Sequence, residues 1–199
     1  MNKTELYSVI CIIVCSIIAL STISYFLGTQ DENVNLVPAS EYINQANFIA
    51  KEWNNSSKCV VIIGAETDNT GLATIWRYSF VTSYSNGSTS DGLDVIFYSK
   101  GNYSVNERSP PSQVPITNWT IDSNEAVDIA LTNNSIAQYL LKYSKASINK
   151  ISFIGDLNVT DGCIVSIEWT DQGFIDNPHN ARIWIDATSG KVIQVECDE

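Results

Sequence analysis

The spacing of apolar and polar residues changes several times along this chain, and each change predicts a different element. Leu6 to Leu27 is one run of 22 residues without a charge. As a helix it would be about 33 Å long, the thickness of a bilayer core. A polar connector, Gly28 to Val37, follows. Ser40 then serves as an N-cap for a helix over 40–53, in which Ile43, Ala46, Asn47, Phe48, Ala50 and Trp53 recur at helical spacing. Strand patterns come next, at Cys59–Ala65, Ala73–Thr82 and Leu93–Ser99, with Tyr103–Val105 as a short fourth. Trp76, Tyr78 and Phe80 fall on one face of the second strand, and Gly71, Asn86-Gly87 and Gly101 supply the turns.

The prolines of Ser109-Pro110-Pro111-Ser112-Gln113-Val114-Pro115 interrupt both helix and ladder, and the same order of elements then begins again. Asp122 and Glu125 form a capping box for a helix through Ala126, Ile129 and Ala130, and Asn133-Asn134 opens a second helix with Ile136, Tyr139 and Leu140. Strands are predicted at Lys150–Leu157, Cys163–Thr170, Ala181–Ala187 and Lys191–Cys197. The expected fold class is α+β: a transmembrane helix, then two tandem units, each with its helices packed on an antiparallel β-meander. The boundaries are 1–29 for the anchor and its short inner tail, 30–38 for a linker, 39–108 for the first unit, 109–117 for a Pro-rich linker and 118–199 for the second unit. Each unit could cover its own sheet, and their edge strands could also join in one continuous sheet.

The C-terminal stretch Arg182-Ile183-Trp184-Ile185-Asp186-Ala187-Thr188-Ser189-Gly190-Lys191-Val192-Ile193 resembles the last hairpin of PepSY-type domains. Gly190 supplies the positive φ of its turn, and Ile183, Ile185, Ile193 and Val195 its inward face. Asn124 to Ala130 resembles the family's opening helix, and Asp161-Gly162 its first hairpin turn. The resemblance covers about 118–197 and implies a PepSY/cystatin-like fold in a secreted or membrane-attached domain. Some members accompany peptidase propeptides and are proposed to restrain protease activity. It carries over no catalytic residue.

Composition adds an address. The hydrophobic fraction is 44% and the aromatic fraction 10%, which suits a packed domain. The net charge of −11 lies wholly beyond residue 29, and without a basic cluster it argues against nucleic acid as a partner. Cys15 follows Ile13-Val14, where a lipidated cysteine would follow a small residue, so the apolar run is expected to stay as a signal anchor. Lys3 before the run and Asp31, Glu32 and Glu41 after it orient the C-terminal bulk outward, making a single-pass, extracytoplasmic protein of the cell membrane. Asn-x-Ser/Thr sequons stand beyond the anchor at Asn54, Asn55, Asn86, Asn102, Asn118, Asn133 and Asn158. They read either as glycosylation sites or as a product of an Asn-rich composition.

Chemistry is sparse. Cys59, Cys163 and Cys197 are too few and too separated for a zinc ribbon, and read as buried free thiols on the apolar sides of their strands, or with one bridge among them. In that pattern Cys59 sides with Val61 and Ile63, and Cys197 with Ile193 and Val195. The single histidine, His179, reads as a solvated turn residue. Asp156 with Asp161, and Asp171 with Asp176, do not form an alternating calcium loop closed by Glu. No metal, cofactor or catalytic set is expected, and so no enzyme. The reading is a non-enzymatic binding or regulatory module near the membrane whose partner is an envelope protein or a peptidase it restrains. The alternative is a structural or accessory component of a cell-surface assembly, pilin-like or envelope-layer associated.

Overall fold

The computed structural model describes residues 35–82, 91–109, 114–155, 162–171 and 178–198. They hold three helices, α1 (Ile43–Trp53), α2 (Ser123–Leu131) and α3 (Asn134–Lys142). Eight strands accompany them: β1 (Lys58–Thr67), β2 (Ala73–Val81), β3 (Gly92–Tyr98), β4 (Tyr103–Arg108), β5 (Ala146–Gly155), β6 (Cys163–Asp171), β7 (Asn180–Asp186) and β8 (Val192–Cys197). The protein is α+β, and all eight strands form one antiparallel sheet in the order β4-β3-β2-β1-β5-β6-β7-β8. Two consecutive meanders therefore meet where β1 pairs with β5, from Val61 opposite Ile154 to Gly64 opposite Ile151. Residues Asn35–Glu199 cluster as one compact unit.

Strict alternation explains why one face of this sheet is covered. Trp76, Tyr78 and Phe80 of β2, Val95 and Phe97 of β3, Phe153 of β5 and Val165 and Ile167 of β6 are all buried in one core shared by both meanders. Helices α1 and α2 meet that core chiefly through small residues, Ala46 and Ala50 of α1 and Ala126 and Ala130 of α2 being fully buried, while α3 inserts Ile136 and Tyr139. An alanine contact lets a helix axis approach the sheet closely, so the large aromatic side chains of the strands supply the volume. On the opposite face Val60, Val61 and Val81 form a small second cluster with Ile63 against it.

The chain entering α1 is tied down by side chains of that core. Val37 exchanges backbone hydrogen bonds with Ala73. The Trp76 indole N–H donates to the Val37 carbonyl at 2.8 Å, and the buried Tyr78 hydroxyl donates to the Ala39 carbonyl at 2.8 Å. The backbone N–H groups of Ala39 and Ser40 donate to Ser123 Oγ and Asp122 Oδ1, at the start of α2. This tether corrects the predicted cap. Ser40 lies in a turn, the helix begins at Ile43, and Tyr42 precedes it without a side-chain cap. The two capping motifs predicted downstream do form. Asp122 and Glu125 make a reciprocal capping box on α2, and Asn133 Oδ1 accepts from the N–H groups of Ser135 and Ile136 on α3.

Bulges account for the other differences. A register shift between Cys59 and Val61 turns Cys59 to the helix-covered face, opposite Phe80, while Val61 and Ile63 go to the other face. The predicted grouping of the three on one side is thus wrong, because an extra residue in a strand inverts the alternation beyond it. A shift in β8 likewise pairs Val192 with Ile185 and leaves Ile193 46% exposed, so Val192 and Val195 supply the inward face expected of Ile193 and Val195. In β5 a bulge after Ile148 lets pairing with β6 reach back to Ala146, four residues before the predicted start. Gly190 takes φ +72°, as the last hairpin demands.

Among the described residues no helix is long and apolar enough to cross a membrane. The predicted anchor, 6–27, and the Asn86-Gly87 turn lie outside the described residues.

Candidate functional site

The segment between the two meanders crosses the helix-covered face. Its path requires Gly155: a Cβ there would lie 1.9 Å from the Val114 carbonyl oxygen. The Ile116 N–H then donates to the Cys59 carbonyl at 2.7 Å, and Thr120 and Ile121 donate to the Ala187 carbonyl. Trp119 is fixed by its indole N–H on the Ile121 carbonyl and by its ring against Phe153, 4.7 Å between centroids. Segment 114–121 and α1 thus stand apart as two walls over the sheet.

Between them runs a groove of about 580 Å³. Its floor is Cys59 and Ile62, one wall is the α1 face bearing Asn44, Asn47 and Phe48, and the other is Ile116 to Trp119. A second hollow of about 490 Å³ shares Ile43 and Trp119 with it and runs on toward Ser40, Asp122 and Glu125. Both Phe48 and its neighbours correct the helix pattern read from sequence. The helical spacing groups Phe48 with Ala46 and Ala50, yet Phe48 is 66% exposed. Ala46 and Ala50 point into the core instead, and a residue two positions from each lies about 200° away round the helix.

One end of the groove gathers hydrogen-bond donors. Lys51 and Lys58 line it and form no ion pair among the described residues. Ser57, only 8% exposed, also lines it, and its hydroxyl has no hydrogen-bond partner among the described residues. Burial pushes the Cys59 thiol up to about 12, with the nearby Cys163 adding to the shift and backbone N–H groups of Val61 and Val60 opposing it. A thiol held protonated to that degree is a poor nucleophile.

The remaining residues singled out from sequence are dispersed. Asn54, Asn55, Asn102 and Asn118 are exposed, and Asn118 is on the groove wall with φ +46°. Asn133 is half-buried as the α3 cap, and Asn86 and Asn158 lie outside the described residues. Cys59, Cys163 and Cys197 are free thiols. Cys59 and Cys163 sit on strands with β5 between them, about 9–10 Å apart at ordinary strand spacing, beyond the reach of a disulfide. His179 is not a solvated turn residue. Its ring stacks on Tyr143 at 4.5 Å, and its carbonyl accepts from the Tyr139 hydroxyl at 2.7 Å. Among the described residues no three His, Cys, Asp or Glu side chains converge as a metal site. Asp156, Asp161 and Asp176 lie outside the described residues.

The groove residues carry no motif that sequence could flag. Their one sequence-level signal is the row Ile43, Asn47, Lys51 beside Asn44, Phe48, spaced four apart on one helix face.

Over the described residues, fold and groove define an α+β protein with one helix-covered antiparallel sheet and a cleft beside α1. A solved structure of a candidate lipoprotein from Clostridium difficile 630 has a similar fold, with a TM-score of 0.51 and 15% identity, over 85% of this chain and 97% of that one. At that identity the likeness speaks for the fold alone. No family model and no curated protein matches the sequence.

Proposed function

We propose that this chain is a non-enzymatic binding or regulatory module, held at the outer side of the cell membrane by its 6–27 segment, with the α1 groove as its working surface. The observation that carries the reading is the groove itself: a large exposed aromatic, Phe48, beside an apolar floor and the buried Ser57 hydroxyl, which has no hydrogen-bond partner among the described residues. An apolar cleft with a few convergent polar groups is the usual form of a binding site. A surface address accords with the candidate lipoprotein whose fold is similar, and exposed sequons at Asn54, Asn55, Asn102 and Asn118 suit a glycosylated exterior. The symmetric strand order about β1 and β5 supports reading the fold as two PepSY-like units, and that resemblance makes a peptidase the partner class to try first.

The test is affinity capture with the detergent-solubilised full chain, comparing wild type, Phe48→Asp and a control, Leu141→Ser, at the 84%-exposed Leu141 of α3. A partner retained by wild type and control and lost with Phe48→Asp supports the proposal. Identical capture by all three refutes it for the groove, and recovery of a soluble chain trimmed after residue 27 refutes the anchor.

A second reading, a component of a surface assembly, is favoured by the two edge strands. Tyr103 and Val105 of β4 and Ile193 of β8 are 50%, 43% and 46% exposed beside unpaired backbone groups. Co-purification with filaments, lost when Val105→Lys blunts the β4 edge, would select it.

A further inference from the structure

We infer that the α1 groove takes an extended peptide that presents a carboxylate next to an apolar side chain. The inference rests on the groove being the binding surface and adds what it selects.

Three observations point to the carboxylate. The donors at one end of the groove, the Lys51 and Lys58 ammonium groups and the Ser57 hydroxyl, are opposed by no acceptor of their own. The lysines make no ion pair among the described residues, and the Ser57 hydroxyl is buried without a partner. A buried hydroxyl left unpaired forfeits its hydration without a replacement bond, a penalty that an incoming acceptor removes. The charge of the rest of the molecule runs the other way. With a net charge of −11 this surface repels anions generally, so two cations in one cleft, with no ion pair among the described residues, make a local exception.

The apolar side chain and the peptide form follow from the rest of the lining. Ile62 and Cys59 form an apolar floor under the exposed Phe48 ring, sized for one aliphatic or aromatic side chain. Along the α1 wall, Asn44 and Asn47 each offer an amide donor and an acceptor, the pair of groups that an extended backbone repeats residue by residue. A simple amphiphile would have no use for that wall. The continuation past Ile43 and Trp119 into the second hollow lengthens the cleft, as an extended chain requires.

The experiment selects phage-displayed random dodecapeptides on the full chain in nanodiscs, with empty discs as the background, and then measures the best binder by fluorescence polarisation. Enriched peptides are expected to carry Asp or Glu beside a Leu, Ile, Phe or Trp. Lys51→Glu with Lys58→Glu should weaken binding at least tenfold, and exchanging the peptide's acid for lysine should restore it on that variant. Ser57→Ala should weaken binding less, about threefold. Melting curves of these variants check that each is folded.

Enrichment of neutral or basic peptides overturns the inference, as does binding indifferent to the double charge reversal. Enrichment no better than empty discs also overturns it, as does binding of dodecanoate but of no peptide, or self-association that Phe48→Asp abolishes. Peptides lost with Phe48→Asp but unaffected by charge reversal would sink only the carboxylate, leaving the groove as the working surface. Peptides that survive Phe48→Asp would sink the proposed function itself.

Discussion

Replacing Gly155 by alanine tests whether the crossing segment really holds the groove open. The backbone at Gly155 is not left-handed, so alanine meets no conformational strain there. Its Cβ, however, would stand 1.9 Å from the Val114 carbonyl oxygen and 2.8 Å from the Val114 carbonyl carbon, where ordinary contact begins near 3.4 Å. Segment 114–121 would have to recoil by about 1.5 Å, since backbone atoms cannot rotate away as a side chain does. Overpacking of that kind costs about 1–3 kcal/mol, and the strained Ile116 N–H bond to Cys59 about 1 kcal/mol more. The reduced freedom of alanine in the unfolded chain returns about 0.4–1 kcal/mol. The net expectation is about 1–3.5 kcal/mol of lost stability, read by urea unfolding, with faster hydrogen exchange at the Ile116 amide. A loss under about 0.5 kcal/mol with Ile116 equally protected would refute the reasoning, since the segment could not then be packed on Gly155.

Further outcomes follow from the same contacts. Tyr78→Phe removes the buried hydroxyl from the Ala39 carbonyl and should cost about 1–2 kcal/mol in urea unfolding, without disturbing the groove peptides. Asp122→Ala removes the α2 cap and the bond from the Ser40 N–H, so about 1–2 kcal/mol should be lost, with hydrogen exchange accelerating at Ser123 and Ser40 together. Burial raises Cys59 and Cys163 from 9.0 to about 12 in the folded chain. Their stabilising contribution is therefore complete below the unfolded pKa and declines as pH rises from about 9 through about 12. Cys163→Ala should flatten the fall in unfolding free energy between pH 9 and 11, and an unchanged slope would count against the buried thiol. At pH 8 both thiols should resist iodoacetamide in the native chain and react on adding urea.

Much of the architecture is legible without coordinates. Wherever a strand keeps strict alternation, as in Trp76, Tyr78 and Phe80 or Val165, Ile167 and Trp169, the buried face follows from the period of two alone. The capping box at Asp122 and the Asn133 cap are local in sequence and so announce their helices. Bulges are the failure point. Those after Cys59 and at Ile193 leave no mark on composition, yet each puts the residues on its two sides out of one simple alternation.

The groove belongs to a third kind of fact. Lys51, Ser57 and Trp119 are separated in sequence and share no motif, and they face one cleft because Gly155 lets segment 114–121 cross β5 and because small alanines seat α1 on the sheet. Sequence by itself determined which segments become helix or strand and which of their residues seek a core, since those depend on neighbours within a turn or a pleat. Only tertiary structure decided that β1 pairs with β5 and that Phe48 faces the solvent. The close approach of distant backbone sets both, and no local period encodes it.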